Sequence, residues 1–456
     1  MSSSNGFVRY MTAGARGHLV GIGGVSMSPL AEVLSRRGLI ISGSDMRQSE
    51  TTRHLAGLGI RVAIGHSPDN LDGAEFVVRT AAARDDNPEI AAARERGIPV
   101  FERAEAWGAI MREYKNAVCI SGTHGKTTTT SMVTHILMAA ESDPTVMIGG
   151  TLPLLQSCYR VGHGDTIVLE SCEYYNSFHS FFPTVAVVLN IDEDHLDFFS
   201  DIEDIKRSFR KFCELTPPDG TVIYNADDEN SVAAIADIDR RKLTFGLSEG
   251  ADVRAENIEL GRETSFTVLY KGEEFAKLKL HLTGLHNVKN ALAAVAAAIA
   301  GGIGADAVVK GLSSFSGAER RLQFKGRVNG ADIYDDYAHN PGELDALFAA
   351  VDKMGYKRVI CAFQPHTYSR TKLLLEDFAK QLAKPDVLVL AEIYAARETN
   401  TFGISSRDIG AKVPGAVCCA DFDSLASTLR GIAAPGDIIL TVGAGDIFRV
   451  GERLAE

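Results

Sequence analysis

Short apolar runs alternate with stretches of helical periodicity through the first hundred residues. A helical stretch, PLAEVLSRRG, separates the first two of four strand candidates, which are HLVGI, LIISGSD, RVAIG and EFVVR. Parallel strands covered by helices produce this alternation, because the strands are buried and each helix shows one apolar face. The pattern therefore predicts a parallel α/β sheet in this part of the chain.

A second set of apolar runs begins near Ala117. Three of these runs have the length of buried strands: AVCIS, IVLES and VAVVLNI. Residues 221–282 are rich in β-branched residues and turn signals, which predicts an antiparallel sheet or hairpins. The strongly helical stretch HNVKNALAAVAAAIAGGIG follows, and its glycine pair, Gly301 and Gly302, predicts the end of the helix.

The last part of the chain repeats the alternating pattern. Its strand candidates are ADIYDDY, RVICAF, DVLVLAE and DIILTVG. Helical segments are predicted to begin at Pro341, Arg370, Asp421 and Asp446. A linker is predicted at 313–319, ahead of this part.

Length supports a division into domains. A chain of 456 residues is too long for one ordinary core, and about 150 residues per domain gives about three domains. Together with the three blocks of pattern, this length predicts an α/β protein of three consecutive domains. The predicted domains are 1–115, 116–318 and 319–456.

Composition agrees with a globular chain, since 45% of the residues are hydrophobic and 23% are charged. The net charge of −12 argues against non-specific binding to nucleic acid, whose phosphates require clustered Lys and Arg. We therefore expect no nucleic-acid partner. Acidic ligands are expected to bind at local sites.

The first residues, MSSSNGFVRYMTAG, are expected to form a flexible polar lead-in, because no apolar stretch with a cleavage site follows them. The longest apolar run, 291–299, is shorter than the ~18 residues that span a bilayer, so no membrane association is expected. The seven cysteines show neither a C-x-x-C pair nor zinc-ligand spacing. Free thiols without a signal segment predict a cytoplasmic protein.

The strongest chemical signal is the segment SGTHGKTT at 121–128, between the strand candidate AVCIS and a helix predicted from about Thr127. Backbone N–H groups of such a loop hold phosphates, Lys126 adds charge at the outer phosphates, and the Thr127 hydroxyl reaches Mg²⁺. A strict Walker A pattern needs glycine at position 120, where this chain has Ile120. The segment predicts an ATP site. The alternative is a structural glycine turn with an exposed lysine.

A second glycine loop, GIGGVSMS at 21–28, precedes a helical stretch with Pro29 in its first turn. It is similar to the fingerprint G-x-G-x-x-G with Ser26 at the third glycine, and Asp45 lies about 20 residues on, where an acidic side chain binds ribose. Alone, the loop favours a nicotinamide-dependent dehydrogenase. The pyrophosphate of a UDP-sugar satisfies the same amides, and a purely structural tight turn is a further alternative.

Two polar clusters follow two further strand candidates, at 170–173 and 190–197. The carboxyl ends of parallel strands meet at one edge of an open α/β sheet, so both clusters are expected to face the phosphate loop. A Mg²⁺ ion beside ATP takes oxygen ligands, often with a histidine nearby, and Glu173 and His195 supply these groups. Solvated acidic loops are the alternative interpretation.

In order and spacing, these motifs resemble those of the Mur ligase family over nearly the whole chain after about Arg16. The motifs that carry the resemblance are GIGGVSMS (21–28), SGSD (42–45), GTHGKTTTT (122–130), ESCEYYNSF (170–178), NIDEDHLD (190–197), GLHNVKNALAA (284–294), ERRLQ (319–323), DDYAHNP (335–341), FQPHTYSRT (363–371) and GAGDI (443–447). The resemblance implies three α/β domains: a Rossmann-like domain for a UDP-sugar, a central P-loop ATPase-like domain with an added antiparallel β region, and a Rossmann-like C-terminal domain for the amino acid.

The resemblance also implies an activity, that of an ATP-dependent carboxylate–amine ligase of peptidoglycan biosynthesis. The implied ligands are UDP-N-acetylmuramate, L-alanine, ATP and Mg²⁺. The γ-phosphate of ATP passes to the muramyl carboxylate, and the alanine amine attacks the resulting acyl phosphate. Charge then develops on phosphoryl oxygens and on the tetrahedral carbon, so catalysis is mainly electrostatic and positional. Either a monomer or a homodimer is expected.

The resemblance assigns roles to single positions. Catalysis is assigned to Lys126, Glu173, His195, His339 and Arg370. ATP binding is assigned to Gly122, Thr123, His124, Gly125, Lys126, Thr127, Thr128, Asn287, Asn290, Arg321 and Asp336. UDP-sugar binding is assigned to Gly23, Gly24, Ser44 and Asp45. The metal is assigned to Thr127, Glu173 and His195, and the amino acid or the muramyl carboxylate to His366, Arg370 and Tyr337.

Other functions stay open as alternatives. Within the family these are a ligase that recycles murein tripeptide and a ligase that adds a later amino acid, and outside it a nucleotide-binding regulator without turnover. Lys372 and Asn340 differ from the family pattern, so the amino-acid contacts are less defined. Arg210 and Lys211 lie where related ligases place a carbamoylated lysine, and this modification is not predicted here.

Overall fold

The computed structural model describes residues 4–80, 83–196, 198–261, 263–317, 320, 322–396 and 398–455. The chain divides into two compact units. The first unit contains the residues up to 315, except for two short segments. The second unit contains those segments, 259–264 and 280–285, and the residues from 316 onward.

A five-stranded parallel sheet forms the beginning of the first unit, with the strand order β3-β2-β1-β4-β5. The strands are β1 (Arg16–Val20), β2 (Ile40–Asp45), β3 (Arg61–Ile64), β4 (Phe76–Arg79) and β5 (Val100–Glu102). The helices are α1 (Ser4–Val8), α2 (Met27–Arg36), α3 (Glu50–Gly57), α4 (Pro88–Glu95) and α5 (Arg103–Met111). The strand order reverses between β1 and β4, and open α/β sheets bind ligands at such a reversal. The predicted parallel sheet is confirmed.

Helix α1 packs on this sheet, so the expected polar lead-in was wrong. Phe7 is fully buried. Its ring packs edge-to-face on Phe76 and on Phe101, with ring centroids 5.2 Å apart in both pairs. The short apolar group of Phe7, Val8, Tyr10 and Met11 is too brief to show a helical or strand period, and for this reason the sequence pattern did not predict the burial of Phe7.

The rest of the first unit is built on a ten-stranded sheet with the order β15-β14-β13-β12-β11-β10-β6-β9-β7-β8. The strands are β6 (Asn116–Ser121), β7 (Thr145–Leu152), β8 (Ser157–Arg160), β9 (Thr166–Glu170), β10 (Val185–Val188), β11 (Thr221–Asn225), β12 (Arg241–Gly246), β13 (Val253–Glu259), β14 (Thr264–Tyr270) and β15 (Glu273–Leu280). The helices are α6 (Lys126–Ala139), α7 (Ile202–Glu214), α8 (Glu229–Ile235), α9 (Leu285–Ala300) and α10 (Ala305–Ser313). Strand β6 pairs in parallel with β9 and with β10, so the segments that follow these three strands meet at one edge.

Only part of the predicted antiparallel region is antiparallel. Strands β11 and β12 extend the parallel sheet and are joined through helix α8, so the prediction from Thr221 onward was wrong in its first half. Strands β13, β14 and β15 are neighbours in chain order, and the Lys271–Gly272 turn between the last two has positive φ at both residues, as tight hairpins require. Strand β11 is buried at every position, which is typical of a parallel strand.

The second unit contains a six-stranded sheet with the order β16-β17-β21-β18-β19-β20. The strands are β16 (Gln323–Val328), β17 (Ala331–Asp336), β18 (Arg358–Phe363), β19 (Val387–Leu390), β20 (Val417–Cys418) and β21 (Asp437–Val442). The helices are α11 (Pro341–Asp352), α12 (Tyr368–Leu373), α13 (Leu375–Leu382), α14 (Ser406–Gly410), α15 (Phe422–Ile432) and α16 (Phe448–Ala455). Strands β16 and β17 are antiparallel, and the other pairs are parallel.

The predicted helix starts in this unit agree to within two residues. Helix α11 begins at Pro341, and Asp421 caps α15 by accepting a hydrogen bond from a backbone N–H. Helices α12 and α16 begin two residues from the predicted Arg370 and Asp446. The predicted linker at 313–319 includes 318 and 319, which lie outside the described residues.

Within the described ranges, no helix has both the length and the apolar composition that crossing a bilayer requires.

Phe7→Ala is expected to lower the free energy of unfolding of the first sheet by about 3–5 kcal/mol, the cost of removing a large buried aromatic side chain. The measurement is urea unfolding followed by the fluorescence of Trp107, the sole tryptophan, which is buried in α5. Val8→Ala is the matched control, because Val8 is exposed in the same helix and should change the free energy by less than about 0.5 kcal/mol. Equal midpoints for the two variants would contradict the burial of Phe7.

Candidate active site

The phosphate loop connects β6 to α6 along a path that glycine alone can follow. Gly122 has φ 139° and Gly125 has φ 84°, both in the region that side chains disfavour. A Cβ atom added to Gly122 would lie 2.9 Å from the Cβ of Leu189, and one added to Gly125 would lie 2.5 Å from Asn290 Oδ1. The loop is therefore packed tightly between the segment after β10 and helix α9.

Asn190 holds the loop from the neighbouring strand end. Its side-chain oxygen accepts a hydrogen bond from the His124 backbone N–H at 2.8 Å, and its amide nitrogen donates to the His124 carbonyl at 3.1 Å. Its own carbonyl accepts from the Thr123 N–H at 3.1 Å. From the sequence, Asn190 was part of a polar cluster at 190–197 and had no assigned role. Its position shortly after a buried strand could have indicated that it lies at the ligand-binding edge of the sheet.

Asp192 binds the same loop through its backbone and its side chain. The Asp192 N–H donates to Thr123 Oγ1 at 2.9 Å. The carboxylate lies 3.8 Å from His124 Nε2, and the nearby imidazole lowers the pKa of Asp192 below its ordinary value. Thr123 and His124 thus fix the loop to the 190–192 segment.

Lys126 folds back over the loop that precedes it. Its Nζ donates to the carbonyl oxygens of Gly122 at 2.5 Å and Thr123 at 3.1 Å, and lies 3.1 Å from both carboxylate oxygens of Glu173. Burial alone lowers the pKa of Lys126, but the charge of Glu173, with smaller effects from its neighbours, outweighs burial and raises the pKa above its ordinary value. The ammonium group is therefore a permanent, oriented cation.

Thr127 and Glu170 form a second polar pair beside the loop. The Thr127 hydroxyl donates to Glu170 Oε1 at 3.1 Å, and the other Glu170 oxygen accepts from the Gly149 N–H at 2.6 Å. Thr128, the next residue of α6, is buried. Glu170 was part of a predicted acidic cluster without an assigned role, and the structure places it against the predicted metal ligand Thr127.

His195 and Glu173 meet at the same edge, as their positions after two strands of one parallel sheet predicted. The His195 Nε2 atom lies 4.0 Å from Glu173 Oε1. The imidazole stacks on the Tyr174 ring, with centroids 4.3 Å apart and planes 21° apart. His195 has φ 54°, an unusual conformation for a residue with a side chain. Stacking and backbone shape together orient the imidazole toward the carboxylate.

Helix α9 brings the two predicted asparagines to the loop. The Asn290 side chain is buried and donates to Asn287 Oδ1 at 3.4 Å. The contact of Asn290 with Gly125 places these amides beside the phosphate loop. Their assigned contact with nucleotide stays a prediction.

The N-terminal glycine loop is tied to β2. The N–H groups of Gly21 and Ile22 both donate to the Ser44 carbonyl at 2.9 Å, and the Gly23 N–H donates to Asp45 Oδ2 at 2.9 Å. Gly24, the fourth glycine-loop position, is exposed. The predicted UDP-sugar residues are thus neighbours at the reversal point of the first sheet.

Glu89 contacts Ser44, whose carbonyl holds this loop, and had no role assigned to it from the sequence. It is fully buried and accepts from the Ser44 hydroxyl at 2.5 Å, from His66 at 2.9 Å and from Asn70 at 2.6 Å. Burial raises the pKa of Glu89, but hydrogen bonds from His18, Ser44 and Asn70 outweigh burial and lower the pKa to about 2. The Ser44 side chain therefore supports the loop from within. Its assigned contact with UDP-sugar stays a prediction.

In the second unit, Asp336 ends β17 and shapes the following turn. Its carboxylate accepts from the N–H groups of Leu322 at 2.7 Å and Ala338 at 2.8 Å. The Tyr337 N–H donates to the Arg320 carbonyl at 2.7 Å, and the Arg320 guanidinium lies 5.0 Å from the centroid of the Tyr337 ring. The predicted nucleotide residue Arg321 lies outside the described residues.

His339, His366 and Arg370 lie close together in the second unit. The two imidazole rings are 6.0 Å apart, and His366 stacks on Tyr394 at 5.6 Å. Burial, with the charges of His339 and Arg370, lowers the pKa of His366 to about 4, so this ring is neutral at pH 7. Tyr394 also lines a cavity of about 300 Å³, together with Gln364. The two imidazoles are thus neighbours, and the Arg370 guanidinium is a cation close enough to act on His366.

The described residues contain no group of three or more His, Cys, Asp or Glu side chains that alone could hold a metal ion. The predicted metal ligands instead form pairs. Thr127 pairs with Glu170, and Glu173 pairs with His195.

Three family profiles match successive parts of the chain. The profile described as "Mur ligase family, catalytic domain" matches residues 16–115. "Mur ligase middle domain" matches 120–298, and "Mur ligase, glutamate ligase domain" matches 320–445.

Two named relatives are similar over almost the full length of both chains. The UDP-N-acetylmuramate–L-alanine ligase of Clostridium novyi (strain NT) is 46% identical over 445 residues, which cover 96% of this chain and 97% of the relative. The protein of the same name from Agathobacter rectalis is 45% identical over 444 residues, with 96% and 97% covered.

Solved structures agree with the fold. The crystal structure of the UDP-N-acetylmuramate–alanine ligase from Thermotoga maritima matches with a TM-score of 0.79 at 30% identity, covering 96% of this chain and 98% of that chain. A murein peptide ligase from Psychrobacter arcticus matches with a TM-score of 0.70 at 23% identity, covering 97% and 98%, which supports the fold alone. With three matching profiles and relatives of this identity and coverage, the chain belongs to the Mur ligase family.

Proposed function

We propose that the protein joins L-alanine to the carboxylate of UDP-N-acetylmuramate at the expense of ATP, in peptidoglycan synthesis. Membership of the Mur ligase family supports an ATP-dependent amide ligase. Relatives at 43% to 46% identity carry the name of the alanine-adding enzyme, which supports the choice of substrates. The products are the amide, ADP and phosphate.

The observation that carries the proposal is the position of Lys126. Its ammonium group is held at once by two loop carbonyls and by Glu173, at the N-terminus of helix α6. A cation fixed at the mouth of a phosphate loop stabilises the charge that develops on a phosphoryl group in transfer. When ATP binds, its phosphate oxygens are expected to replace Glu173 as a partner of Lys126.

The reaction proceeds in two steps. A muramyl carboxylate oxygen attacks the γ-phosphorus, and the bond from that phosphorus to ADP breaks, which gives an acyl phosphate. The alanine nitrogen then attacks the acyl carbon, the bond from carbon to phosphate breaks, and the nitrogen loses a proton. In both steps the chain holds the reacting groups in line and neutralises charge, and Lys126 and the loop N–H groups carry this task in the first step.

Mg²⁺ fits the donor set beside the loop. Thr127 supplies a hydroxyl, Glu173 a carboxylate and His195 an imidazole, and we assign the metal to these three residues. Such an ion needs only one or two protein ligands, because phosphate oxygens and water fill its other positions. When bound, it neutralises phosphate charge and polarises the transferred group. When Lys126 pairs with phosphate instead of Glu173, the Glu173 carboxylate becomes available to bind Mg²⁺.

The cluster in the second unit suits the amino acid or the muramyl carboxylate. Arg370 supplies a fixed cation for a carboxylate, and His339 and His366 supply imidazoles beside it. We further propose the domain boundaries 1–115, 116–318 and 319–456. The gaps between the matched profiles, at 116–119 and 299–319, support these boundaries.

The alternative activities have less support. A dehydrogenase uses the glycine loop at 21–26 and leaves the phosphate loop and its cation unexplained. A murein tripeptide ligase shares the fold, but the curated relatives at 43% to 46% identity carry the name of the alanine-adding enzyme. We propose a cytoplasmic location, where ATP and UDP-sugars are available, and no nucleic-acid partner. A monomer or homodimer stays a prediction.

The function is tested by incubating the protein with UDP-N-acetylmuramate, ATP, Mg²⁺ and one amine at a time. The amines are L-alanine, glycine, L-serine, L-glutamate and the murein tripeptide. Product mass and ADP release are followed together. L-alanine is expected to give the amide with a kcat/KM about tenfold or more above the other amines, the discrimination that one missing or added group supports.

ADP release without an amide product from any of these amines would exclude the ligase. Amide formation from the tripeptide and none from L-alanine would move the assignment to the recycling enzyme.

Lys126→Ala is expected to lower the rate of amide formation by about 10²- to 10³-fold or more, because the variant lacks a cation that stabilises transition-state charge. Calorimetry should show UDP-N-acetylmuramate affinity within about threefold of the unmodified protein, a difference of less than about 1 kcal/mol. Lys310→Ala is the control, since Lys310 is an exposed lysine of the same unit. Loss of UDP-sugar binding in Lys126→Ala would show that the two glycine loops do not form separate sites.

A further inference from the structure

Arg103 lies against the N-terminal glycine loop. It is the first residue of α5, and its guanidinium donates a hydrogen bond to the Ser26 hydroxyl. One turn later in the same helix, the Trp107 indole N–H donates to the Ser26 carbonyl at 3.3 Å. Helix α5 therefore presents one cation to the loop and anchors the loop backbone with a second group.

In the part of the chain that the structure describes, the guanidinium of Arg103 forms no ion pair with a carboxylate, and the nearest acidic charge that acts on it is that of the adjacent Glu102. Among the described residues, no carboxylate oxygen lies within 4.0 Å of it, and the adjacent Glu102 is paired with Arg79 at 2.5 Å. Burial lowers the pKa of Arg103 below its ordinary value. A partly buried guanidinium has five N–H donors and loses hydration, so a cation with one neutral hydroxyl partner is poorly compensated.

The glycine loop leaves two N–H groups open beside this cation. The Gly23 N–H is taken by Asp45, and the Gly24 N–H by the Gly21 carbonyl at 3.1 Å. Within the described part of the chain, the N–H groups of Val25 and Ser26 have no acceptor. Both residues precede the ten-residue helix α2, whose positive end faces the same space.

We propose that Arg103 binds the pyrophosphate of the UDP-sugar, together with the open N–H groups of Val25 and Ser26. This inference rests on the proposed function and names a binding residue beyond those that the motifs predicted. The ligand supplies a negative charge in direct contact with Arg103, which none of the described carboxylates provides. A planar guanidinium suits this task, because it donates two parallel hydrogen bonds to a phosphate.

A purely structural role for Arg103 makes a different prediction. If the guanidinium served only to hold Ser26 in place, its loss would deform the loop and weaken every ligand of the first sheet to the same degree. A phosphate-binding role affects ligands that carry phosphate and leaves the nucleoside unaffected. The comparison of UDP with uridine therefore separates the two roles.

The experiment measures UDP binding by calorimetry and uridine binding by ligand-observed NMR, without ATP, for the unmodified protein and for Arg103→Met. We expect Arg103→Met to weaken UDP binding about 10- to 100-fold, the range for one hydrogen-bonded charge pair, and to change uridine binding less than about twofold. Arg103→Lys keeps the positive charge but lacks the planar guanidinium, so its UDP affinity should lie between that of the unmodified protein and that of Arg103→Met. Arg53→Met is the control, because Arg53 is exposed in α3.

Thermal unfolding and ATP binding are recorded for each variant, so a folding defect is recognised. If Arg103→Met is unstable, Arg103→Lys takes its place, and the ratio of its UDP affinity to its uridine affinity is compared with that of the unmodified protein. Unchanged UDP binding, or equal losses for UDP and uridine, would overturn the assignment of Arg103. The proposed function is judged separately by amide formation in the unmodified protein, which these binding measurements do not use.

Discussion

The site depends on one constraint, the close packing of the phosphate loop, which admits no side chain at two of its positions. At Gly122 and Gly125, added side chains would collide with the segment after β10 and with α9. The forced path turns Lys126 back over its own loop, where two carbonyls and Glu173 fix the ammonium group. Orientation of this cation thus comes largely from the path of the loop backbone, with Glu173 as the side-chain partner.

The sequence predicted the α/β class, the parallel sheets and the grouping of polar residues, because these features follow from local pattern. Glu173 and His195 are 22 positions apart, yet both follow buried strands, and the rule that carboxyl ends of parallel strands meet was enough to bring them together. The roles of single residues came from motif resemblance.

Other features depend on contacts between distant parts of the chain and were not predictable from pattern. Phe7 is buried only because Phe76 and Phe101 lie beside it. In the sequence, Glu89 looks like an ordinary acidic residue near a helix start, but it accepts hydrogen bonds from Ser44 in β2 and from His66 after β3. Arg103 belongs to none of the motifs, and Asn190 begins the motif NIDEDHLD but had no role assigned to it. Each acts on a glycine loop that lies far away in sequence.

The central claim is that ATP activates the muramyl carboxylate as an acyl phosphate before the amine attacks. The most direct test uses UDP-N-acetylmuramate labelled with ¹⁸O in its carboxylate, together with ATP, Mg²⁺ and L-alanine. Mass spectrometry of the released phosphate is predicted to show one ¹⁸O atom for each amide formed, because the bond from carbon to that oxygen breaks in the second step. Phosphate released without ¹⁸O while the amide accumulates would contradict the account.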